Sequence, residues 1–192
     1  MNIDLDQTAF QLANEIKRVL DFDVKIRISL NSGASYFDYD SDEDAVIVAS
    51  VSLSEIANNE KQKYSTLAAY ELILNSSRKS VRCITAANKI PDPFLYCTYC
   101  TLHEIGHHVF HANSSAEEFR HAVEQRNTLL ENHKEKLANS IASGRDVRKS
   151  QEIFARSYRN MPFEKWADDY AKGMLPEVIS VLVEEHDSYE TE

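Results

Sequence analysis

No stretch of this 192-residue chain holds the roughly 18 to 20 consecutive apolar residues that a bilayer-spanning helix requires. Its N-terminus, Met1-Asn-Ile-Asp-Leu-Asp6, is acidic and lacks the basic-then-apolar layout of a secretory leader. Cysteine is sparse: Cys83, Cys97 and Cys100 make an odd number, which fits a reducing compartment better than a disulfide framework. Positive charge is in deficit, and a net charge of −10 at pH 7 argues against a general affinity for nucleic-acid phosphates or an anionic membrane. Internal repeats and low-complexity stretches are missing as well. These absences together predict a cytoplasmic protein with no membrane contact and no direct nucleic-acid binding.

What is present suits one globular domain. Hydrophobic residues at 43% and charged residues at 27% are enough to build a core and too apolar for wholesale disorder. The acidity gathers in Asp38, Asp40, Asp42, Glu43 and Asp44 and again in residues 184–192, a pattern that reads as a solvated loop and a frayed end.

Residues 5–20 carry Leu5, Phe10, Leu12, Ala13, Ile16, Val19 and Leu20 at helical spacing. Residues 24–30 alternate strictly between apolar and polar, as a half-buried strand does. Two more strand-like runs follow at 34–39 and 45–50, so the region reads as a small antiparallel meander. A long helix is expected from 55 to about 76, and residues 81–85 form either a fourth short strand or a loop. Pro91 and Pro93 then punctuate the chain, which places the next helix from near Phe94 to near Asn113.

Beyond it, Phe119, Val123, Leu130, Leu137 and Ile141 make one narrow apolar stripe, and Ser143-Gly144 breaks the helix. A second helix over about 146–159 completes a helical hairpin spanning 115–160. Pro162 starts a final helix in which Trp166 and Tyr170 read as core, and Pro176 restarts or bends it. The predicted fold class is α+β, mostly helical, with a small antiparallel sheet of three to four strands and an inserted hairpin.

The most informative residues lie in the helix after Pro93, where positions 103 to 107 read His-Glu-Ile-Gly-His. On a helix His103 and His107 sit one turn apart on one face, about 6 Å between side-chain origins, which suits two imidazoles on one Zn²⁺. Glu104 lies about 100° round from His103, close enough to act on metal-activated water without being a ligand. A catalytic zinc takes three protein ligands, so a third must come from elsewhere. The final helix offers it: Glu164, Ala167, Asp168 and Ala171 share one stripe. Glu164 supplies a carboxylate to the metal. Asp168, one turn along, accepts a hydrogen bond from the outer nitrogen of a ligating histidine. The alanines, with Gly106 opposite, let the two helices lie close.

His111 continues the ligand face by one turn and is either a supporting polar group behind the ligands, a polar core residue or a rival third ligand; His108 points elsewhere and reads as surface. Cys97-Thr-Tyr-Cys100 has no second cysteine pair to make a zinc ribbon, so both thiols read as small apolar fillers. The basic residues after Gly144 read as a solvated face.

His103-Glu-Ile-Gly-His107 with His111, followed by Glu164-x-x-Ala-Asp-x-Tyr-Ala-x-x-Met-Leu-Pro176, resembles the ImmA/IrrE family of bacterial and phage metallopeptidases. The likeness covers residues 101–111 and 164–176; the N-terminal helix and sheet agree only in outline. It implies a minimal gluzincin-like fold with the sheet packed on a zincin-type helix, and Glu164 as third zinc ligand. It also implies cleavage of an intracellular protein, typically a helix-turn-helix repressor of a mobile element or stress regulon. The long gap from His107 to Glu164 departs from the family, and no DNA-binding or sensor domain is evident. A non-catalytic protein that keeps the zinc site and sequesters a regulator is the alternative.

Overall fold

The computed structural model describes residues 3–29, 35–62, 64–84, 89–144 and 147–188. Helix α1 (Ala9–Leu20) is opened by a capping box in which Thr8 and Gln11 satisfy each other's backbone N–H groups, and Asp21 in the left-handed region closes it. Three strands follow, β1 (Lys25–Ser29), β2 (Phe37–Asp40) and β3 (Ala45–Ala49). Then come α2 (Leu53–Gln62), α3 (Tyr64–Val81), α4 (Asp92–Asn113), α5 (Ala116–Ala142), α6 (Val147–Arg159) and α7 (Pro162–Ser188). The fold is mostly helical with a small sheet, as the sequence predicts. The long helix expected at 55–76 falls on α2 and α3, between which residue 63 lies outside the described residues, and α3 runs on to Val81; no strand forms at 81–84, and Thr85 lies outside the described residues.

The sheet is mixed rather than an antiparallel meander. Its order is β1-β3-β2, with β1 parallel to β3 and β2 antiparallel to it. Apolarity explains the order. Strand β3, Ala45-Val-Ile-Val-Ala49, is buried at four of its five positions and takes the centre. Strand β1 carries Lys25 and Arg27 and is largely exposed, so it occupies an edge where charge protects unpaired backbone. Strand β2 holds the other edge, next to α4. The β2–β3 turn is closed by Asp40, whose Oδ1 accepts from the backbone N–H of Asp42 at 3.0 Å and Glu43 at 3.1 Å.

Helix α4 is the axis of the molecule. Every residue from Phe94 to His108 is buried except Glu104, the condition of a helix surrounded by other elements. It touches α1, α2, α3, α5 and α7 together with β2 and β3. Its fullest contact is with α7, and Gly106 makes that possible: a Cβ added there would stand 2.9 Å from Ala167 Cα. Helix α7 continues through Pro176 instead of restarting. Its buried residues on both sides, Ala171, Leu175, Val178, Ile179 and Leu182, fix it to the core. That packing outweighs the roughly 3 kcal/mol an interior proline costs. Trp166 is not core: it lies partly exposed against Phe110 and Tyr170, because its turn of α7 is at the rim.

Helices α5 and α6 form the predicted hairpin, turning through Gly144 at φ +64°. Only Phe119 and Ala122 of α5 are buried, so the far end of its apolar stripe is open, with Ile141 64% exposed; Ile153 of α6 is 57% exposed. Among the described residues no helix is long and apolar enough to cross a membrane.

Candidate metal centre

Helices α4 and α7 bring His103, His107 and Glu164 together as a buried set whose donor atoms all lie within 4.8 Å of one another. The two imidazole Nε2 atoms stand 3.1 Å apart. Glu164 Oε2 is 3.1 Å from His103 Nε2 and 3.7 Å from His107 Nε2. A tetrahedral ion with ligand bonds of about 2.0–2.1 Å has its donors about 3.3 Å apart, so these three distances bracket the fit. The chemistry of the set agrees, two imidazoles and one carboxylate. The set is completed by Glu164 and not by His111.

Support for His103 comes from α7. Its Nδ1 lies 2.9 Å from Asp168 Oδ1, near it but without the alignment of a hydrogen bond. The Tyr99 hydroxyl donates to that oxygen at 3.1 Å, and Arg159 pairs with it as well. Burial pulls the His103 imidazolium down, but Asp168 and Glu164 outweigh it and lift the group to about 9. His107 lacks such help. Burial first, then the neighbouring His103 charge, press it down to about 4 against the pull of Glu164. Its Nδ1 is buried without a hydrogen-bond partner among the described residues, and its ring is stacked on Phe163 with centroids 4.0 Å apart. Burial works to raise the carboxyl groups of Glu164 and Asp168, yet the imidazoles facing them hold both below the usual carboxylate range.

Glu104 lines a cavity of about 290 Å³, whose wall also includes His103, His107, Glu164, Arg126 and Tyr158. Burial pushes its carboxyl up to about 7, eased by His103 and reinforced by Glu164 and Asp38. A carboxylate with affinity for protons near neutrality, beside a candidate ion, is able to accept and return a proton.

His111 is not part of the set. Its Nδ1 is 2.6 Å from the Tyr39 hydroxyl, and Tyr39 in turn lays its ring over His107 at 6.1 Å. His108 is not at the surface: it is buried with Nδ1 2.7 Å from Asp44 Oδ1, because the β2–β3 turn folds over this side of α4. Asp44, although about half exposed, is tied to this side of α4, also accepting from the Tyr39 hydroxyl at 2.5 Å. Cys97 and Cys100 are free and buried, and burial holds both thiols well above their ordinary value. They are protonated fillers, although Cys100 lines the cavity.

Two tyrosines complete the site together with two arginines that the sequence does not mark as site residues: Arg126 and Tyr158 beside Glu164, and Tyr99 and Arg159 around Asp168. Arg126 carries a signal all the same. It stands three residues after Val123 and four before Leu130, so a charge interrupts the apolar stripe of α5.

The chain matches no family profile, no curated protein and no solved structure. The resemblance to the ImmA/IrrE metallopeptidases rests on the two motif segments.

Proposed function

We propose that the protein is a zinc-dependent endopeptidase of the cytoplasm, acting on an intracellular protein such as a helix-turn-helix regulator of a mobile element or stress response. The observation that carries this reading is the convergence of His103, His107 and Glu164 at donor spacings suited to one tetrahedral ion, with Glu104 beside them in an open cavity. Two imidazoles and a carboxylate are a donor set that catalytic zinc takes. When bound it supplies Lewis acidity, polarising an acyl carbonyl and making water acidic near neutral pH.

The chain's own residues supply the rest. His103 and His107 each present Nε2 to the ion, and the Asp168 carboxylate 2.9 Å from His103 Nδ1 favours the tautomer that carries its hydrogen there. Glu104 receives the proton of the attacking water and gives it to the leaving amine. An extended substrate segment pairs with the free edge of β2, the strand whose Phe37 and Asp38 form part of the cavity wall.

Glu104→Gln tests the reading. It keeps the metal bound and lowers cleavage of the target by about a hundredfold or more. The same variant, used as a trap, retains its uncleaved partner for identification. A second reading is favoured by the exposed Ile141 and Ile153 on the hairpin: a zinc-containing protein that sequesters a regulator through that surface. In that case Glu104→Gln leaves the biological effect intact.

A further inference from the structure

Of the two oxygens of Glu164, only one faces the imidazoles. Oε2 is the atom near His103 and His107, while Oε1 lies 3.2 Å from Arg126 Nε on α5. Oε1 is buried and accepts no well-aligned hydrogen bond among the described residues, so the guanidinium is its counter-charge. Arg126 is itself held at both ends. Its Nε donates to the Tyr158 hydroxyl on α6 at 2.8 Å, and its Nη2 lies 3.9 Å from Asp38 Oδ1 on β2. Burial and the Glu164 carboxylate keep the Tyr158 hydroxyl protonated. The hairpin therefore reaches across the cavity and grips the side of Glu164 turned away from the histidines.

We propose that Arg126 and Tyr158 are positioning residues of the metal site, which clamp Glu164 Oε1 so that the carboxylate offers the ion a single oxygen. The inference rests on the metal reading above and deepens it. A carboxylate free to rotate binds through both oxygens, and the second one fills the coordination position that water or a substrate carbonyl needs. An arginine on the outer oxygen prevents this rotation by charge and by its fixed planar fork. The hairpin is then part of the site, and its attachment to β2 and α7 sets the number of oxygens presented.

The probe is Co²⁺ added to metal-stripped protein, because four-coordinate Co²⁺ absorbs visible light far more strongly than five-coordinate Co²⁺. The wild type is expected to give the strong four-coordinate band. Arg126→Met and Tyr158→Phe are expected to lose much of that intensity as Oε1 swings onto the ion. Arg120→Gln, on the same helix but exposed and only loosely paired with Glu124, is expected to keep it. Circular dichroism and the melting temperature report whether each variant is folded; if Arg126→Met is not, Tyr158→Phe, which removes one oxygen atom, decides. Folded Tyr158→Phe or Arg126→Met with an undiminished wild-type band overturns the clamp while leaving the metal site standing. A wild type with no Co²⁺ band at all overturns both.

Discussion

His103 Nε2 and Glu164 Oε2, sixty-one residues apart in the chain, face each other at 3.1 Å in the interior of the molecule. Neither side chain gains from burial alone, since each gives up hydration and depends on its charged neighbours, Asp168 beside His103 and Arg126 beside Glu164. Their proximity makes chemical sense when a cation joins them, and it depends on α4 and α7 packing closely enough to bring them there.

That closeness is testable at Gly106. Gly106→Ala gains up to about 1 kcal/mol of helix propensity. The new Cβ, however, meets the Ala167 backbone at 2.9 Å and forces α7 outward, an overpacking cost of about 1–3 kcal/mol. The expected outcome is a net loss of stability with weakened metal binding, read by denaturant unfolding and by metal titration of the same sample.

Asp168 carries a second prediction. Asp168→Asn keeps the shape but removes the charge that faces His103 and neutralises Arg159. Metal affinity should fall about 10–100-fold in a chelator competition. Breaking this buried pair should also cost about 3–5 kcal/mol of stability, because the Arg159 guanidinium is left without its partner.

How much of this was legible beforehand follows from locality. The His103–His107 pair and the Glu164–Asp168 stripe are helical spacings within a few residues, and such periodicity is visible in one sequence. The parallel pairing of β1 with β3 is not, because it depends on which strand is apolar enough to sit between two others. His108 looked like a surface residue from its angle on the helix; the turn carrying Asp44 covers it from a distance of 64 residues. Arg159 looked like one more cation on a basic face, and only the fold brings it to Asp168. The broken apolar stripe around Arg126 was the one available hint that the hairpin turns a charge inward.

The metal-free protein should show a characteristic pH dependence. His103, lifted to about 9, contributes stability that is full below the unfolded value near 6.5 and is lost as pH rises toward 9. His107, pressed down to about 4, contributes stability that is full above 6.5 and is lost as pH falls toward 4. Glu164 and Asp168, held low, add to the loss on the acid side. Glu104, pushed up to about 7, contributes stability that is full below about 4.5 and is lost as pH rises toward 7, which offsets the His107 gain. Melting temperatures in chelator should therefore hold a plateau from about pH 4.5 to 6.5 and decline on both sides. Added Zn²⁺ should flatten the alkaline side, since both imidazoles are then held neutral as ligands.

The most direct test is the metal content of protein purified without added metal, compared with Glu164→Gln and His103→Ala prepared in parallel. The account predicts about one zinc per chain in the wild type and a large loss in both variants. A wild type that carries no divalent ion and takes up none when Zn²⁺ is supplied would contradict it.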